Sequence, residues 1–353
     1  HSANYHGPLA RLFSSTETNE PNYISYEIKY DKLTGKYVPG KYSYNENEYT
    51  VNKSGFIGPE FEMENKTGCR IIALGGSTTA GIESKKSYPQ ILEETLNSDN
   101  NNCEVLNFGF SGKGLNFLED LLLKDGIKYN PNTITIMSNR NSIMYDSYIT
   151  SSAPTDVIEN KYDLFVYEIK NFLFSEIMTY RIMRLGFNRS VSLFFNEEDK
   201  ILSPFDPRSY HLKDYFENRY KDQILKINSY CKANGINLVL VKQAYFIDPD
   251  FQQKISKISK KDLIEKLAKY HKDKNFDKLN LFWIYSTAIL NKTFDEVKEI
   301  DSKIIVVDPT VDLYVKDKKD HFLPDGLHLN IKGNKVIAEK IFDSLVSNKI
   351  INN

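Results

Sequence analysis

Residues 74–81, Leu-Gly-Gly-Ser-Thr-Thr-Ala-Gly, restrict the possible folds of this chain more than any other stretch. An apolar run, Ile-Ile-Ala-Leu, leads into them, and its branched side chains are typical of a buried strand. Two glycines then permit backbone conformations that side chains disfavour, and Ser77 follows directly. The pattern predicts a strand that ends in a tight turn. Ser77 would then lie at the carboxyl edge of a sheet, where open α/β sheets bind ligands.

This stretch has three interpretations. In a phosphate-binding loop a second glycine would stand where Ala80 stands, and no lysine follows Gly81. The nucleophile elbow of α/β-hydrolases requires glycine where Thr79 stands. A plain strand-to-helix junction, with the serine as a helix cap, is the third interpretation, and the stretch alone favours it.

The composition excludes some classes of partner. The chain has 353 residues, enough for one large α/β domain with additional segments. Its net charge of -1, without a long basic run, argues against nucleic acid as a partner. No apolar run approaches the ~20 residues of a membrane span. Because the chain starts at His1 and not at Met, the sequence leaves open a removed export signal or membrane anchor.

Residues 1–67 are predicted to form a small extension. Residues 1–22 are polar and lack periodicity, whereas alternating residues in 23–51 indicate a few short strands. A segment of this size has little core of its own, so we expect it to pack on the main domain.

Residues 68–353 alternate predicted strands with predicted helices, which indicates a parallel sheet covered on both faces. The predicted strands are 70–75, 104–109, 133–137, 236–241 and 303–308. The predicted helices are 87–96, 116–127, 255–283 and 332–346. Helical patterns at 162–185 and 210–234 fall in a long connection, so an inserted helical cap is predicted at about 142–231.

Polar residues follow the ends of the first three strands and precede the last helix, so they should converge at one edge of the sheet. Asp325 and His328 are three residues apart, a spacing that places both on one face of a helical turn. The carboxylate can orient the imidazole while its other nitrogen deprotonates Ser77, a hydroxyl that needs such a base. The backbone N–H groups of Ser77 and Gly112 and the side-chain amide of Asn141 are candidate oxyanion donors.

Four stretches, in this order, resemble the SGNH (GDSL-like) hydrolase family: 75–78 (Gly-Gly-Ser-Thr), 109–112 (Gly-Phe-Ser-Gly), 139–141 (Asn-Arg-Asn) and 325–328 (Asp-Gly-Leu-His). The resemblance covers about 68–346. It implies a flavodoxin-like, three-layer α/β/α sandwich with a five-stranded parallel sheet. It also implies that Ser77 is the nucleophile of a triad with His328 and Asp325, with Ser77, Gly112 and Asn141 forming the oxyanion hole.

The sequence departs from the family pattern in two places. Gly76 replaces the aspartate that usually precedes the nucleophile. In the third stretch, Asn139 and Ser142 replace a glycine and an aspartate, so Asn139 is an alternative to Asn141 as the oxyanion donor. Arg140 lies between them and is a candidate for binding an anionic substrate group or for pairing with a structural carboxylate.

Few other residues suggest chemistry. His321 is either a substrate contact or, the favoured interpretation, a histidine of a surface loop. The remaining histidines form no metal-ligand pattern, and the glycines at 109, 112 and 114 do not match a dinucleotide-binding motif. The sequence therefore implies neither a metal nor a cofactor.

Two of the three cysteines have matched positions. Cys69 and Cys103 each precede the glycine that ends a predicted strand by six residues. If the two strands are neighbours in register, these cysteines lie side by side at the amino edge. They would form either a disulfide or a pair of buried free thiols. A disulfide would indicate an oxidising compartment and favour an exported protein, periplasmic or on the cell surface, over a cytoplasmic one.

We expect a serine esterase that removes a short acyl group, such as acetyl, from a carbohydrate-like substrate. The same triad would serve an O-acyltransferase that acts on a polysaccharide, so the sequence does not separate the two. A non-catalytic carbohydrate-binding or scaffold protein and, with less support, a lipase are the other hypotheses.

Overall fold

Seven strands form two sheets in the computed structural model, which describes residues 29–31, 34–44, 47–63, 68–98, 101–138, 141–143, 214–247, 249–270, 278–314 and 320–351. The strands are β1 (Gly40–Tyr44), β2 (Asn47–Val51), β3 (Cys69–Gly75), β4 (Cys103–Gly109), β5 (Thr133–Met137), β6 (Asn237–Val241) and β7 (Ile305–Val307). β1 and β2 form an antiparallel hairpin. The other five are parallel in the order β4-β3-β5-β6-β7, which confirms the predicted sheet.

The described helices are α1 (Ser77–Ala80), α2 (Tyr88–Ser98), α3 (Leu115–Lys124), α4 (Tyr220–Ala233), α5 (Pro249–Ser256), α6 (Lys260–Tyr270), α7 (Lys278–Ile300), α8 (Thr310–Leu313) and α9 (Ile331–Ser347). They cover both faces of the main sheet. Successive strand residues point to opposite faces, so Ile72 and Leu74 of β3 join a core with α3, α4 and α7, whereas Ile71 and Ala73 join one with α2 and α9. The three layers match the predicted α/β/α sandwich.

The helix predicted at 255–283 and the strand predicted at 303–308 differ most from the structure, in which the last helix of the first segment, α7, continues to Ile300. The helix predicted at 255–283 is divided, because Ser259 begins a new helix: its hydroxyl accepts from the Asp262 amide and donates to the Asp262 carboxylate. The last strand is shorter than predicted at both ends. Residue Lys303 lies in a turn capped by Asp301, and the Asp308 carboxylate turns back to accept from the Thr310 amide.

Most of the predicted cap, including the helix expected at 162–185, lies outside the described residues. A π-helical turn at Tyr215–Arg219 leads into α4. This helix packs against α3 and α7, so it belongs to one helical layer of the sandwich.

The N-terminal extension covers the outer edge of β4. Ile57 bridges to Asn107 of that strand, and the Phe56 ring stacks on Phe108 with 3.8 Å between centroids. Tyr37 is also buried. The extension therefore contributes directly to the core of the main domain. No helix within the described ranges is long and apolar enough to cross a membrane.

The amino ends of β3 and β4 are covalently linked. Cys69 and Cys103 occupy opposite positions in the strand register, their Cα atoms are 4.5 Å apart, and their sulfurs are bonded. The structure therefore contains the disulfide and not the pair of free thiols. Cys231, on α4, is a buried free thiol.

Candidate active site

Ser77 is the first residue of α1, at the carboxyl edge of β3. Gly75 at the end of β3 and Gly109 at the end of β4 leave room for α1 beside the sheet. A Cβ on Gly75 would lie 2.6 Å from the Met137 carbonyl oxygen, and a Cβ on Gly109 would lie 2.6 Å from the Ala80 Cα. Side chains at these two positions would force α1 away from the strand ends. The sequence thus packs the short helix tightly against the sheet and fixes the backbone of Ser77.

His328 lies on a turn that Asp325 organises. Gly326 has a φ of +72°, a left-handed conformation that glycine adopts without strain. One Asp325 carboxylate oxygen accepts from the backbone amides of Leu327 and His328, at 2.9 and 3.0 Å. The other oxygen contacts Nδ1 of the His328 ring. The aspartate therefore holds both the turn and the imidazole.

The structure brings Ser77, His328 and Asp325 together. The Ser77 hydroxyl is 2.8 Å from Nε2 of His328, whose other ring nitrogen contacts Asp325. Burial raises the pKa of Asp325, but hydrogen bonds from the His328 ring and from two backbone amides outweigh burial and lower the pKa to about 2. The aspartate is thus charged at neutral pH, and it favours the tautomer that leaves Nε2 free to accept a proton.

The two other candidate oxyanion donors lie on segments that pack against the backbone before Ser77. Asn141 directs its amide nitrogen at the backbone before Ser77, since a Cβ on Gly76 would lie 2.5 Å from that nitrogen. Gly112 has a φ of +74° in the loop after β4, and this loop is tied to β3 by a 2.9 Å bond from the Phe110 amide to the Gly75 carbonyl. Asn139 and Arg140 lie outside the described residues.

Two tyrosines of the extension hold the loop that contains Gly112. The Tyr37 hydroxyl accepts from the Ser111 amide at 2.7 Å, and the Tyr30 hydroxyl donates to the Ser111 carbonyl at 2.6 Å. The Tyr37 ring also stacks on Phe110, with 4.7 Å between centroids. Burial raises the pKa of Tyr37, which keeps its hydroxyl neutral. The sequence interpretation missed this contribution because no local pattern links residues so far apart in the chain.

Glu83 is a second carboxylate beside His328. Its Oε1 lies 3.4 Å from Nε2, and its side chain is only 6% exposed. The residue occupies the turn between α1 and α2, six positions after Ser77. No sequence pattern identifies Glu83, because a single acidic residue in a turn has no distinguishing feature.

The crevice at Ser77 is small, with a volume of ≈ 10 Å³. It is lined by Gly76, Ser77, Thr78, Met137, Ser138, Asn141, Gln243 and Leu327. Gln243 is a lining residue that the sequence-based prediction does not include, although its position just after β6 is the signal that identifies the other strand-end residues.

His321 does not line this crevice. Its Nδ1 is 3.3 Å from the Leu313 carbonyl oxygen of α8. Its own carbonyl accepts from the Asn330 amide, just before α9. These contacts favour the loop interpretation over a substrate contact. Among the described residues, no group of three or more histidine, cysteine or acidic side chains is arranged to hold a metal ion.

A five-stranded parallel sheet between helical layers, with serine, histidine and aspartate at its carboxyl edge, is typical of hydrolases that use a serine nucleophile. The family model for GDSL-like lipases and acylhydrolases matches residues 71–341. The chain therefore belongs to this family.

Solved structures with similar architecture share little sequence with this chain. A lipase/acylhydrolase from Enterococcus faecalis is 12% identical, with a TM-score of 0.43 over 80% of this chain and 97% of that one. A catalytic mutant of an acetylxylan esterase from Geobacillus stearothermophilus is 12% identical, with a TM-score of 0.44 over 80% and 96%. A GDSL-like lipase from Bacteroides thetaiotaomicron is 12% identical, with a TM-score of 0.37 over 79% and 88%. No curated protein matches the sequence significantly.

Proposed function

We propose that this acylhydrolase-family protein is a serine esterase in which Ser77 is the nucleophile, His328 the general base and Asp325 the residue that orients the base. The observation that carries the proposal is the 2.8 Å contact between the Ser77 hydroxyl and Nε2 of His328, with Asp325 on the opposite ring nitrogen. A serine hydroxyl becomes a competent nucleophile when a neutral imidazole can accept its proton.

The reaction begins when Ser77 Oγ attacks the ester carbonyl carbon as its proton passes to Nε2. The developing oxyanion would be stabilised by the backbone N–H groups of Ser77 and Gly112 and by the side-chain amide of Asn141. The intermediate collapses when His328 donates the proton to the departing alcohol, which leaves an acyl group on Ser77. Water then repeats the sequence and releases the carboxylic acid.

The size of the crevice supports a short acyl group. The space among the described lining residues, ≈ 10 Å³, is narrow, which suits a methyl group better than a long hydrocarbon chain. The lining contributes the polar side chains of Ser77, Thr78, Ser138, Asn141 and Gln243. We therefore favour acetyl esters of hydroxylated, carbohydrate-like molecules over lipids. An O-acyltransferase remains the alternative, because a sugar hydroxyl would use the same triad.

The test is hydrolysis of p-nitrophenyl acetate and p-nitrophenyl butyrate by the wild type and by Ser77→Ala. We expect the variant to lose at least about 10⁴-fold in kcat/KM, and we expect acetate to react faster than butyrate. Ser98→Ala is the matched control, since that hydroxyl caps the end of α2 by donating to the Thr95 carbonyl. Activity retained in Ser77→Ala would contradict the proposal. Acyl transfer to an added sugar in preference to water would favour the acyltransferase.

A further inference from the structure

Glu83 introduces a negative charge on the side of the imidazole where the proton moves. Asp325 contacts Nδ1 of His328, whereas Glu83 Oε1 lies 3.4 Å from Nε2, the nitrogen that also contacts Ser77. The two carboxylates therefore have different neighbours. Asp325 is suited to orient the ring, and Glu83 is suited to bind a group that hydrogen-bonds to Nε2.

The turn that contains Glu83 is held from several sides. Gly81, with a φ of +68°, donates its amide to the Ser77 carbonyl at 2.8 Å and accepts from the Ser84 amide. The side-chain amide of Asn47, in the hairpin, donates to the Glu83 backbone carbonyl at 3.5 Å. Asn334 of α9 donates to the Lys86 carbonyl at 2.9 Å. Three separate parts of the fold thus fix the backbone around this carboxylate.

The Glu83 side chain is shielded from solvent, at 6% exposed. A carboxylate removed from water interacts more strongly with a nearby hydrogen-bond donor than an exposed one does. A hydroxyl that enters the site next to Nε2 would be such a donor. A glutamate at this position can therefore bind a hydroxyl next to Nε2 more strongly than an exposed glutamate would.

We propose that Glu83 positions the water molecule that hydrolyses the acyl-enzyme, an inference that rests on the esterase function proposed above. After acylation, Ser77 Oγ has no proton to share with Nε2. A water molecule beside Nε2 can donate one O–H to that nitrogen and the other to Glu83 Oε1. Glu83 thereby directs the water oxygen at the acyl carbon, and orientation of this kind makes a large contribution to reaction rates.

The step balances without a further reactant. The water oxygen forms a bond to the acyl carbon as one water proton passes to Nε2, and the carbonyl electrons move onto the oxyanion. When the intermediate collapses, the bond between the acyl carbon and Ser77 Oγ breaks, and Oγ takes the proton from Nε2. The products are the carboxylic acid and the free serine. Glu83 stays a carboxylate throughout.

The same geometry favours hydrolysis over transfer. An alcohol that attacks has one O–H, which Nε2 takes, so its attacking oxygen has no second hydrogen for Glu83 to bind. Water has two. Glu83 should therefore accelerate the second half-reaction with water and leave the first half-reaction almost unchanged.

The test separates the two half-reactions by stopped-flow kinetics with p-nitrophenyl acetate. Glu83→Leu should slow deacylation by about 10- to 100-fold and change the acylation rate by less than about twofold. A burst of p-nitrophenol should then appear or grow, and intact-protein mass spectrometry should find one acetyl group on Ser77. Glu83→Gln, which keeps a hydrogen-bond acceptor, should restore part of the deacylation rate. Glu94→Gln is the matched control, because that glutamate is exposed on α2 and pairs with Lys86.

Two outcomes would overturn the role of Glu83. Equal losses in acylation and deacylation would assign it to the support of His328, and unchanged kinetics would remove it from the reaction. Labelling of Ser77 by a fluorophosphonate at the wild-type rate, together with an unchanged melting temperature, shows that a variant is folded and able to undergo acylation. A wild type that neither reacts nor is labelled would overturn the esterase function itself.

Discussion

The strand pair β3 and β4 has different contacts at its amino end and at its carboxyl end. The strands stay in one register from the pair Cys69 and Cys103 to the pair Gly75 and Gly109. At the amino end, a disulfide joins the strands, and the buried Arg70 side chain donates to the Glu104 carboxylate and to backbone carbonyls. At the carboxyl end, glycines allow a helix and two loops to approach closely.

The amino end therefore serves mainly stability, and the carboxyl end serves mainly the site at Ser77. The disulfide and the Arg70 hydrogen bonds at the amino end lie at the opposite end of the strands from Ser77. Changes there should lower the stability of the fold and leave turnover unchanged. The carboxyl end has glycines in crowded positions next to Ser77, so changes there should alter turnover more than stability. Four measurements can break or sharpen this contrast.

The largest effect should come from Asp325→Asn. An asparagine amide cannot favour the tautomer that a carboxylate favours at Nδ1, so we expect kcat/KM for p-nitrophenyl acetate to fall by about 10²- to 10⁴-fold. Asp312→Asn, which disturbs only a surface ion pair with Lys340, is the control. A loss below about tenfold would show that Asp325 does not orient the base.

The next effect should come from the amino end, and it should be on stability. The disulfide closes a loop with a sequence separation of 34 residues, and a crosslink of this kind contributes about 2–4 kcal/mol to the free energy of unfolding. The double variant Cys69→Ala/Cys103→Ala should have a free energy of unfolding lower by that amount in urea denaturation. It should keep the wild-type kcat at low temperature. Cys231→Ala, which removes an unpaired thiol, is the control. A large loss of kcat in the folded double variant would break the contrast.

Gly76→Ala tests the carboxyl end. The added methyl group would lie 2.5 Å from the Asn141 amide nitrogen, so Asn141 must move. Because loss of one oxyanion donor costs about 10²- to 10³-fold, a displaced donor should lower kcat by about 10- to 100-fold.

Gly235→Ala is the matched control for Gly76→Ala. Gly235 has a φ of +67° and no atoms within 4 Å of an added Cβ. The Gly235→Ala substitution should therefore lower the free energy of unfolding by about 1–2 kcal/mol through backbone strain and leave kcat unchanged. If Gly76→Ala keeps full activity, Asn141 is not an oxyanion donor.

The smallest effect should be a dependence of stability on acid pH. The folded protein lowers the pKa of Asp325 to about 2, whereas an unfolded aspartate has a pKa of ~3.9. A lowered pKa contributes stability that is fully present above ~3.9 and is lost as pH falls through about 2. The difference in free energy of unfolding between wild type and Asp325→Asn should therefore shrink from pH ~5 to pH ~2. A constant difference would mean that the charge of Asp325 contributes nothing to stability.

Much of the main domain was predictable because it depends on local patterns. The bounds of β5 were predicted without error, since five apolar or β-branched residues follow a proline turn. The matched distances from each cysteine to the glycine at its strand end also agree with the register of the structure, which was predicted only as a condition for pairing the cysteines. Ser77, Asp325 and His328 were selected because each lies in a short, recognisable stretch.

The rest depends on contacts between distant residues, which no local pattern reveals. Glu83 approaches His328 across the fold, and its own neighbours in sequence are ordinary turn residues. Tyr30 and Tyr37 meet Ser111 only because the extension packs on β4. The break before α6 was missed since apolar periodicity continues through it, and the capping bonds at Ser259 decide the boundary.

The hold of Tyr30 and Tyr37 on Ser111 affects how this protein could diverge from its relatives. A fragment that began at Gly68 would keep all four sequence motifs, yet it would lack both hydroxyls that fix the loop before Gly112. An exchange of N-terminal segments between homologues would therefore change the rate of the reaction without replacing any motif residue. Selection on turnover can thus act on a segment that the motifs do not include.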